Sequence, residues 1–290
     1  MPKLIFLGTG TSTGVPQIGC KCEVCRSNDT RDKRLRTSAL YIGDDGRHIL
    51  IDCGPDFREQ MLRQSCDSID AVLLTHEHYD HVGGIDDLRP FSFEHSLPIF
   101  TNQLCADSLR QRLPYCFTKN KYPGVPNIEL ITLDPKDSIL LGNQTVQPIQ
   151  VMHDLMPIYG YRIGKMAYIT DMSHLVKNED EKLKNLNVLI VNALRINPHH
   201  SHQSLDEVDM IAAPVPYMPG AQSGEVYFNA KVLMAVYKSR FKNIFETALS
   251  ESVNNIVFDD MGCDENMCAP ALIAIALREA IKEGGYAGMF

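Results

Sequence analysis

A chain of 290 residues, 44% of them hydrophobic, can bury a sizeable core, and its length suits one large domain or two small ones. Its net charge of -8 argues against non-specific nucleic-acid binding, which needs a basic surface to displace counterions. Met1-Pro2-Lys3-Leu4-Ile5-Phe6-Leu7 runs at once into glycine and threonine, so neither a signal peptide nor a bilayer-spanning run is expected, and nine cysteines without a secretion signal imply reduced thiols and a cytoplasmic protein.

Residues 4–7 read as a strand that empties into the loop Gly8-Thr9-Gly10-Thr11-Ser12-Thr13-Gly14. Cys20, Cys22 and Cys25 follow at a metal-ligand spacing rather than in a disulfide framework. Ser38–Ile42 and residues 48–52 form a predicted hairpin across Gly43-Asp44-Asp45-Gly46, and a helix is predicted over Phe57–Gln64. Residues 71–74 are a continuous apolar run, the pattern of a buried strand, and Thr75-His76-Glu77-His78-Tyr79-Asp80-His81 begins directly after it.

Further strands are predicted at residues 99–101, 128–133, 146–152, 158–163, 166–170 and 188–192, with helices at 105–112, 180–184 and 204–212. Several neighbouring strands are hairpin-spaced, so an α+β sandwich of two mixed β-sheets flanked by helices (αββα) fits better than a doubly wound parallel sheet. The texture changes at Ala213-Pro214-Val215-Pro216-Tyr217-Met218-Pro219-Gly220, where three prolines break regular structure. Beyond it a helix is expected at 230–250, a strand at 255–258 and a helix at 269–281, which divides the chain into a region 1–208 and an atypical segment 209–290.

A histidine pair at i and i+2 followed by Asp-His supplies four ligand-capable side chains within six residues. On extended backbone, residues two apart face the same side, so His76 and His78 can grip one ion while Asp80 and His81 face another. A lone histidine in such a loop would read as a solvated polar residue. Four spaced ligands after a buried strand read as a metal site.

The run His-x-His-x-Asp-His resembles the signature of the metallo-β-lactamase fold. Within it the chain is similar to the PhnP-type branch, the cyclic phosphodiesterases of phosphonate breakdown, and more distantly to the tRNA 3′-processing nucleases. The resemblance covers residues 4–208. It rests on Gly8 to Pro16, on Gly19-Cys20-Lys21-Cys22-Glu23-Val24-Cys25, on Asp52-Cys53-Gly54-Pro55-Asp56-Phe57-Arg58, on the histidine run, and on Gly84-Ile85-Asp86-Asp87-Leu88-Arg89-Pro90-Phe91.

The resemblance implies a first ion on His76, His78 and His153, with Asp171 bridging to a second ion on Asp80 and His81. His153 and Asp171 each follow a predicted strand, where ligands can converge. Two divalent ions flanking a water lower its pKa toward neutrality, supply hydroxide and neutralise charge on a phosphoryl oxygen. Histidine-rich ligation with a carboxylate bridge suits zinc or manganese. The function so implied is a metal-dependent hydrolase, a dinuclear phosphodiesterase acting on a small, cyclic or open, phosphate ester such as a phosphorylated ribose. Its expected partner is that substrate, with no membrane and no nucleic acid, and a homodimer is left open.

Pro198-His199-His200-Ser201-His202-Gln203-Ser204-Leu205-Asp206-Glu207 resembles the family's Pro-Thr-His-x-Ser-Leu-Glu-Glu segment. That match makes His202 the candidate general acid, with Asp80 as the second catalytic residue. Ser204 with Glu207 three residues on equally makes a helix capping box, and the two readings are compatible. Cys20, Cys22 and Cys25 are one thiolate short of a closed zinc site, which in the resembled family a C-terminal histidine completes for a structural role. The alternative is three unrelated reduced cysteines. Cys53, Cys66, Cys105 and Cys116 read as ordinary buried or half-buried thiols.

Relatives end on a strand that runs into His-x-Ser-His, whose histidines complete the second ion and the cysteine site. This chain has no histidine after His202. Asp259 or Asp260 could stand in at the second ion, and Cys263 or Cys268 at the structural zinc. Alternatively the segment from about 209 belongs to another fold: Met210-Ile211-Ala212-Ala213-Pro214 and Asn255 to Cys263 are weakly similar to the C-terminal half of ADP-ribose-binding macro-like domains, although a segment of this length cannot make a whole one. The rival function is a non-catalytic metal-binding scaffold. Less favoured are tRNA processing, for which the acidic chain lacks a basic arm, and thioesterase or lactonase chemistry, since Asp86 to Phe91 resembles the phosphodiesterase branch more.

Overall fold

The computed structural model describes residues 2–118, 123–192, 202, 238, 241–246, 249 and 270–286. Two compact units divide the chain, Met1–Val208 and Asp209–Phe290.

In the first unit two six-stranded sheets carry the fold. The first sheet has the order β1-β2-β3-β4-β5-β6, formed by β1 (Lys3–Gly8), β2 (Ser38–Ile42), β3 (His48–Ile51), β4 (Ala71–Leu73), β5 (Leu97–Thr101) and β6 (Ile128–Thr132). Its first two pairings are antiparallel and the remaining three parallel. Parallel neighbours need a crossover, and helices supply it: α2 (Phe57–Gln64) lies between β3 and β4, while α4 (Gln103–Arg112) and α5 (Pro114–Phe117) lie between β5 and β6. The short α1 (Glu23–Arg26) and α3 (Tyr79–Val82) sit in the cysteine segment and in the histidine run.

The second sheet runs β11-β8-β9-β10-β12, with β7 also paired to β8. Its strands are β7 (Ile139–Leu141), β8 (Gln144–His153), β9 (Met156–Ile163), β10 (Met166–Tyr168), β11 (His174–Leu175) and β12 (Val188–Ile190). Only the β10–β12 pairing is parallel.

Side-chain alternation at period two explains the layering. Ile49, Ile51, Ala71 and Leu73 point one way and pack with Val146, Tyr159, Tyr161, Ile163 and Tyr168 between the sheets. Leu50 and Val72 point the other way, against Phe57, Met61, Leu88 and Leu109 from the helical layer. Ile149, Val151, Ile158 and Ala167 make a third apolar layer on the far side of the second sheet. Strands buried on both faces lose the polar alternation of a surface strand, which is why residues 71–74 read as one apolar run. The predicted αββα sandwich of mixed sheets is the observed fold.

Most predicted elements shift by one to three residues at an end, and three differences matter most. The helix expected at 180–184 is a 3-10 turn, Glu179–Leu183. The strand expected over 166–170 ends at Tyr168, so Asp171 lies on a left-handed turn three residues beyond it, at φ 54°. The strand expected over 188–192 ends at Ile190. The elements expected at 204–212 and 255–258 lie outside the described residues.

In the second unit α6 (Pro270–Gly284) carries Glu279 and Glu283, which pair with Lys238, and Glu283 also pairs with Lys242 at 3.1 Å. Phe245 and Tyr286 stack with centroids 4.9 Å apart. No helix among the described residues is long and apolar enough to cross a membrane.

Candidate metal centre

The site is built at the ends of β3 and β4. Asp52 follows β3 directly, fully buried and in the left-handed region at φ 60°, a conformation that aspartate tolerates better than most residues. A buried carboxylate is costly unless it is hydrogen-bonded, and this one accepts from the Thr75 backbone N–H at 2.8 Å and from Thr75 Oγ1 at 3.0 Å. Its other oxygen lies 2.7 Å from His81 Nδ1. The second sheet reaches the same segment: Tyr159 N donates to Thr75 O at 3.0 Å, and Tyr161 Oη donates to Leu74 O at 2.7 Å.

These bonds orient the imidazoles. The one hydroxyl proton of Thr75 goes to Asp52, so Thr75 Oγ1 accepts from His76 Nδ1–H at 2.9 Å and leaves His76 Nε2 with a free lone pair. That Nε2 lies 3.0 Å from His78 Nδ1 and 3.6 Å from Asp171 Oδ2. His81 turns Nδ1 to Asp52 and Nε2 outward, 3.3 Å from Asp80 and 3.0 Å from Asp171. The turn α3 that carries Asp80 and His81 is held by Cys53 N donating to His81 O at 2.8 Å and Gly84 N donating to Cys53 O at 2.9 Å. Glycine is required at Gly54, where a Cβ would stand 2.1 Å from Asp80 O.

The second sheet contributes the remaining donors. His153 is the last residue of β8, and its ring centroid lies 5.6 Å from that of His76 and 5.2 Å from that of His78. Asp171 follows β10, and His202 comes within 3.7 Å of it through Nδ1 and within 4.7 Å of the His153 ring. Ligand atoms of His76, His78 and His153 all lie within 4.8 Å of one another, as do those of His76, His81 and Asp171, and those of His153, Asp171 and His202.

Electrostatics couple these groups to one another. Burial opposes a charge on His81, but the Asp52 and Asp171 carboxylates overcome it and raise its pKa well above the ordinary value. Burial lowers the pKa of His76 strongly and that of His78 as well, which favours the neutral form in which imidazole ligates. Burial alone would raise the Asp171 carboxyl, yet His81 beside it holds it far below the carboxylate range, and the same neighbour lowers Asp80 against its own burial. Imidazoles converging with ionised carboxylates are the donor chemistry a divalent ion requires, and an ion binding here would displace the proton that the carboxylates hold on His81.

All the catalytic-centre residues expected from the sequence within the described region, His76, His78, Asp80, His81, His153, Asp171 and His202, therefore come together. Asp259, Asp260, Cys263 and Cys268 lie outside the described residues. Cys20, Cys22 and Cys25 also gather within ligand distance of one another. Cys25 N donates to Cys22 Sγ and Gln17 N to Cys25 Sγ, each at 3.4 Å, and the first of these bonds lowers the Cys22 pKa. Sequence reasoning missed Asp52 and Thr75 as residues that orient the ligands. The signal available was an aspartate straight after an apolar strand and before Gly54-Pro55, where a buried charge must have a partner.

A cavity of about 440 Å³ opens over this centre, lined by His78, Asp80, His153, Asp171 and His202 and by the loop from Gly8 to Ser12.

The family model of the beta-lactamase superfamily domain matches residues 47–215. The solved structure of a new diphosphatase from the PhnP family is 40% identical, with a TM-score of 0.65 over 71% of this chain and 80% of that one. An octanoyltransferase from Porphyromonas gingivalis (strain ATCC BAA-308 / W83) is 50% identical over 206 residues, 71% of this chain but 42% of that protein, so the chain spans less than half of this relative's length. Zinc-bound PqqB from Methylobacterium extorquens, 20% identical, shares the fold with a TM-score of 0.56 over 68% of this chain and 74% of that one. The chain belongs to the beta-lactamase superfamily, on its PhnP-like branch of metallo-β-lactamase-fold hydrolases.

Proposed function

We propose that this chain is a dinuclear metal-dependent phosphodiesterase acting in the cytoplasm on small phosphate esters, cyclic ones among them. The observation that carries this reading is the convergence of five histidines and two aspartates at one centre, where His78, His153, His202, Asp80 and Asp171 line a cavity and His76 and His81 lie buried behind it. His76, His78 and His153 would hold the first ion, and Asp80 and His81 the second, with Asp171 between them. Zinc or manganese bound there would activate a water and neutralise phosphoryl charge. The diphosphatase named in the PhnP family supports phosphoryl chemistry for this chain, whereas the octanoyl transfer named for the Porphyromonas relative belongs to a protein matched over less than half its length.

The protein's own groups divide the remaining work. Thr75 and Asp52 fix the ring orientations of His76 and His81. His202, beside Asp171 and His153, gives its proton to the departing alkoxide. Asp80 serves both as ligand and as a charge that keeps His81 turned to the site. Residues 1–208 make the catalytic region, and residues 209–290 form an atypical C-terminal segment.

The test is hydrolysis of bis(p-nitrophenyl) phosphate and of 2′,3′-cyclic nucleotides by the zinc- or manganese-loaded protein. Turnover is expected, with His76→Ala reducing kcat/KM at least about a hundredfold, because the variant loses a ligand of the first ion. An inert loaded protein would sink the reading. One observation favours a second reading, a non-catalytic metal-binding scaffold: no histidine follows His202 to close the second ion. Metal analysis separates the two, two catalytic ions supporting the enzyme and one or none the scaffold.

A further inference from the structure

We infer that Asn192 and Ser173 are positioning residues, two latches on the strap of chain that carries Asp171, and that they set where this carboxylate stands in the metal centre. The inference rests on the dinuclear reading and deepens it.

Topology makes the strap. β10 and β11 follow one another in the chain, yet β9 and β8 lie between them in the sheet. The segment from Ile169 to Ser173 therefore crosses three strand spacings over the end of the sheet, about 14 Å. From Tyr168 to His174 the chain could reach about 20 Å if fully extended, so the span leaves slack. Asp171 takes it up in a left-handed turn at φ 54°, a conformation aspartate adopts more readily than most residues.

Side chains fasten both sides of that turn. Asn192, just beyond the end of β12, grips the residue after Asp171 in both directions. Met172 N donates to Asn192 Oδ1 at 2.9 Å, and Asn192 Nδ2 donates to Met172 O at 3.2 Å, so a side-chain amide copies a rung of a β-ladder. Asn192 borders the cavity, but both ends of its amide are engaged by this backbone. On the other side Ser173 Oγ donates to Met152 O at 2.8 Å and accepts from Asp154 N at 3.1 Å. Met152 and Asp154 flank His153, so Ser173 ties the strap to the backbone on either side of a candidate ligand of the first ion.

The carboxylate so held faces two ways. Asp171 Oδ2 lies 3.0 Å from His81 Nε2 and 3.6 Å from His76 Nε2. Its Oδ1 accepts from Thr170 Oγ1 at 3.2 Å and faces His202 Nδ1 at 3.7 Å. A bridging ligand needs both oxygens aimed. Burial of the Met172 side chain in the third apolar layer fixes the depth of the strap, and the two latches fix its rotation.

The experiment titrates metal-free, full-length protein with cobalt(II). Visible bands report cobalt on histidine and carboxylate, while thiolate-bound cobalt has its own charge-transfer band and is counted apart. Asn192→Ala and Ser173→Ala are each expected to weaken the ion that Asp171 helps hold about tenfold, as loss of an outer hydrogen bond to a ligand does, and to shift its visible bands. Ser173→Thr, which keeps the hydroxyl, is expected to bind cobalt as the wild type does. Should Asn192→Ala fail to fold, Asn192→Asp takes its place, since it keeps the acceptor and removes the donor. Unchanged affinity in both alanine variants would overturn the inference. So would a lowered denaturant midpoint of the metal-free protein with the bands of the saturated centre unaltered, the mark of a merely structural role. Stoichiometry separates the two claims: one cobalt at the centre, with an affinity that depends on the latches, removes the dinuclear reading and leaves the latches standing. Two cobalts with affinities indifferent to the latches do the reverse, and no bound cobalt removes both.

Discussion

At the residue scale the decisive group is one that contacts no substrate. Asp52 is buried beneath the ligands, accepts from Thr75 and faces His81 Nδ1, so its effect on the centre is entirely through orientation. Such outer carboxylates are typically worth ten- to a hundredfold in metal affinity. Asp52→Asn keeps the shape but loses the charge that opposes His81, and its amide must turn a donor toward Thr75 N–H or His81. Metal affinity measured by competition with a chelating dye should fall about tenfold or more, with the fold retained by circular dichroism; unchanged affinity would remove Asp52 from the centre. Of the candidate ligands, His76, His78, Asp80 and His81 were legible in the sequence because their spacing is a pattern, whereas His153 and Asp171 came from the family resemblance. Asp52 was not, because its role depends on β3 and β4 ending side by side, a parallel pairing no local spacing reveals.

At the element scale the fold was legible where burial leaves a periodic trace. Ser38–Ile42 and Phe57–Gln64 have the predicted bounds, since a hairpin turn and a helical stripe mark them. β7, of three residues, and β11, of two, were not predicted, because so short a strand is defined by its pairing with β8 rather than by its own pattern. α3 is a single turn, too short to show a 3.6-residue period, so the histidine run read as wholly extended although Asp80 and His81 are helical. That turn packs on the loop after β3 at a distance only glycine permits. Gly54→Ala drives a methyl into the Asp80 carbonyl and should destabilise the protein by about 1–3 kcal/mol, read from the denaturant midpoint. Wild-type stability in this variant would mean that the contact is not rigid.

At the scale of the whole molecule the cysteines sort by depth. Cys53, Cys105 and Cys116 are buried, while Cys20 and Cys22 are exposed. Burial pushes the Cys105 thiol up to about 12 and Cys53 well above its ordinary value. The reactive thiolate is then scarce in the folded protein until the pH approaches those values. At pH 8.5 a thiol reagent should label Cys20 and Cys22 in minutes and leave Cys53 and Cys105 unmodified until denaturant is added. Prior addition of zinc should protect the exposed pair if they are ligands of a closed site. Labelling that ignores zinc would reduce Cys20, Cys22 and Cys25 to three unrelated thiols.

The donors of the centre come from both sheets: His76, His78, Asp80 and His81 from the segment after β4, His153 from the end of β8 and Asp171 from the turn after β10. An ion gripped by both sets would act as a clasp at one edge of the sandwich. The middle of the sandwich is closed by apolar side chains and needs no such fastening. Metal occupancy and the local register of the two sheets would then become one mechanical variable, tying the candidate centre to the closure of this edge.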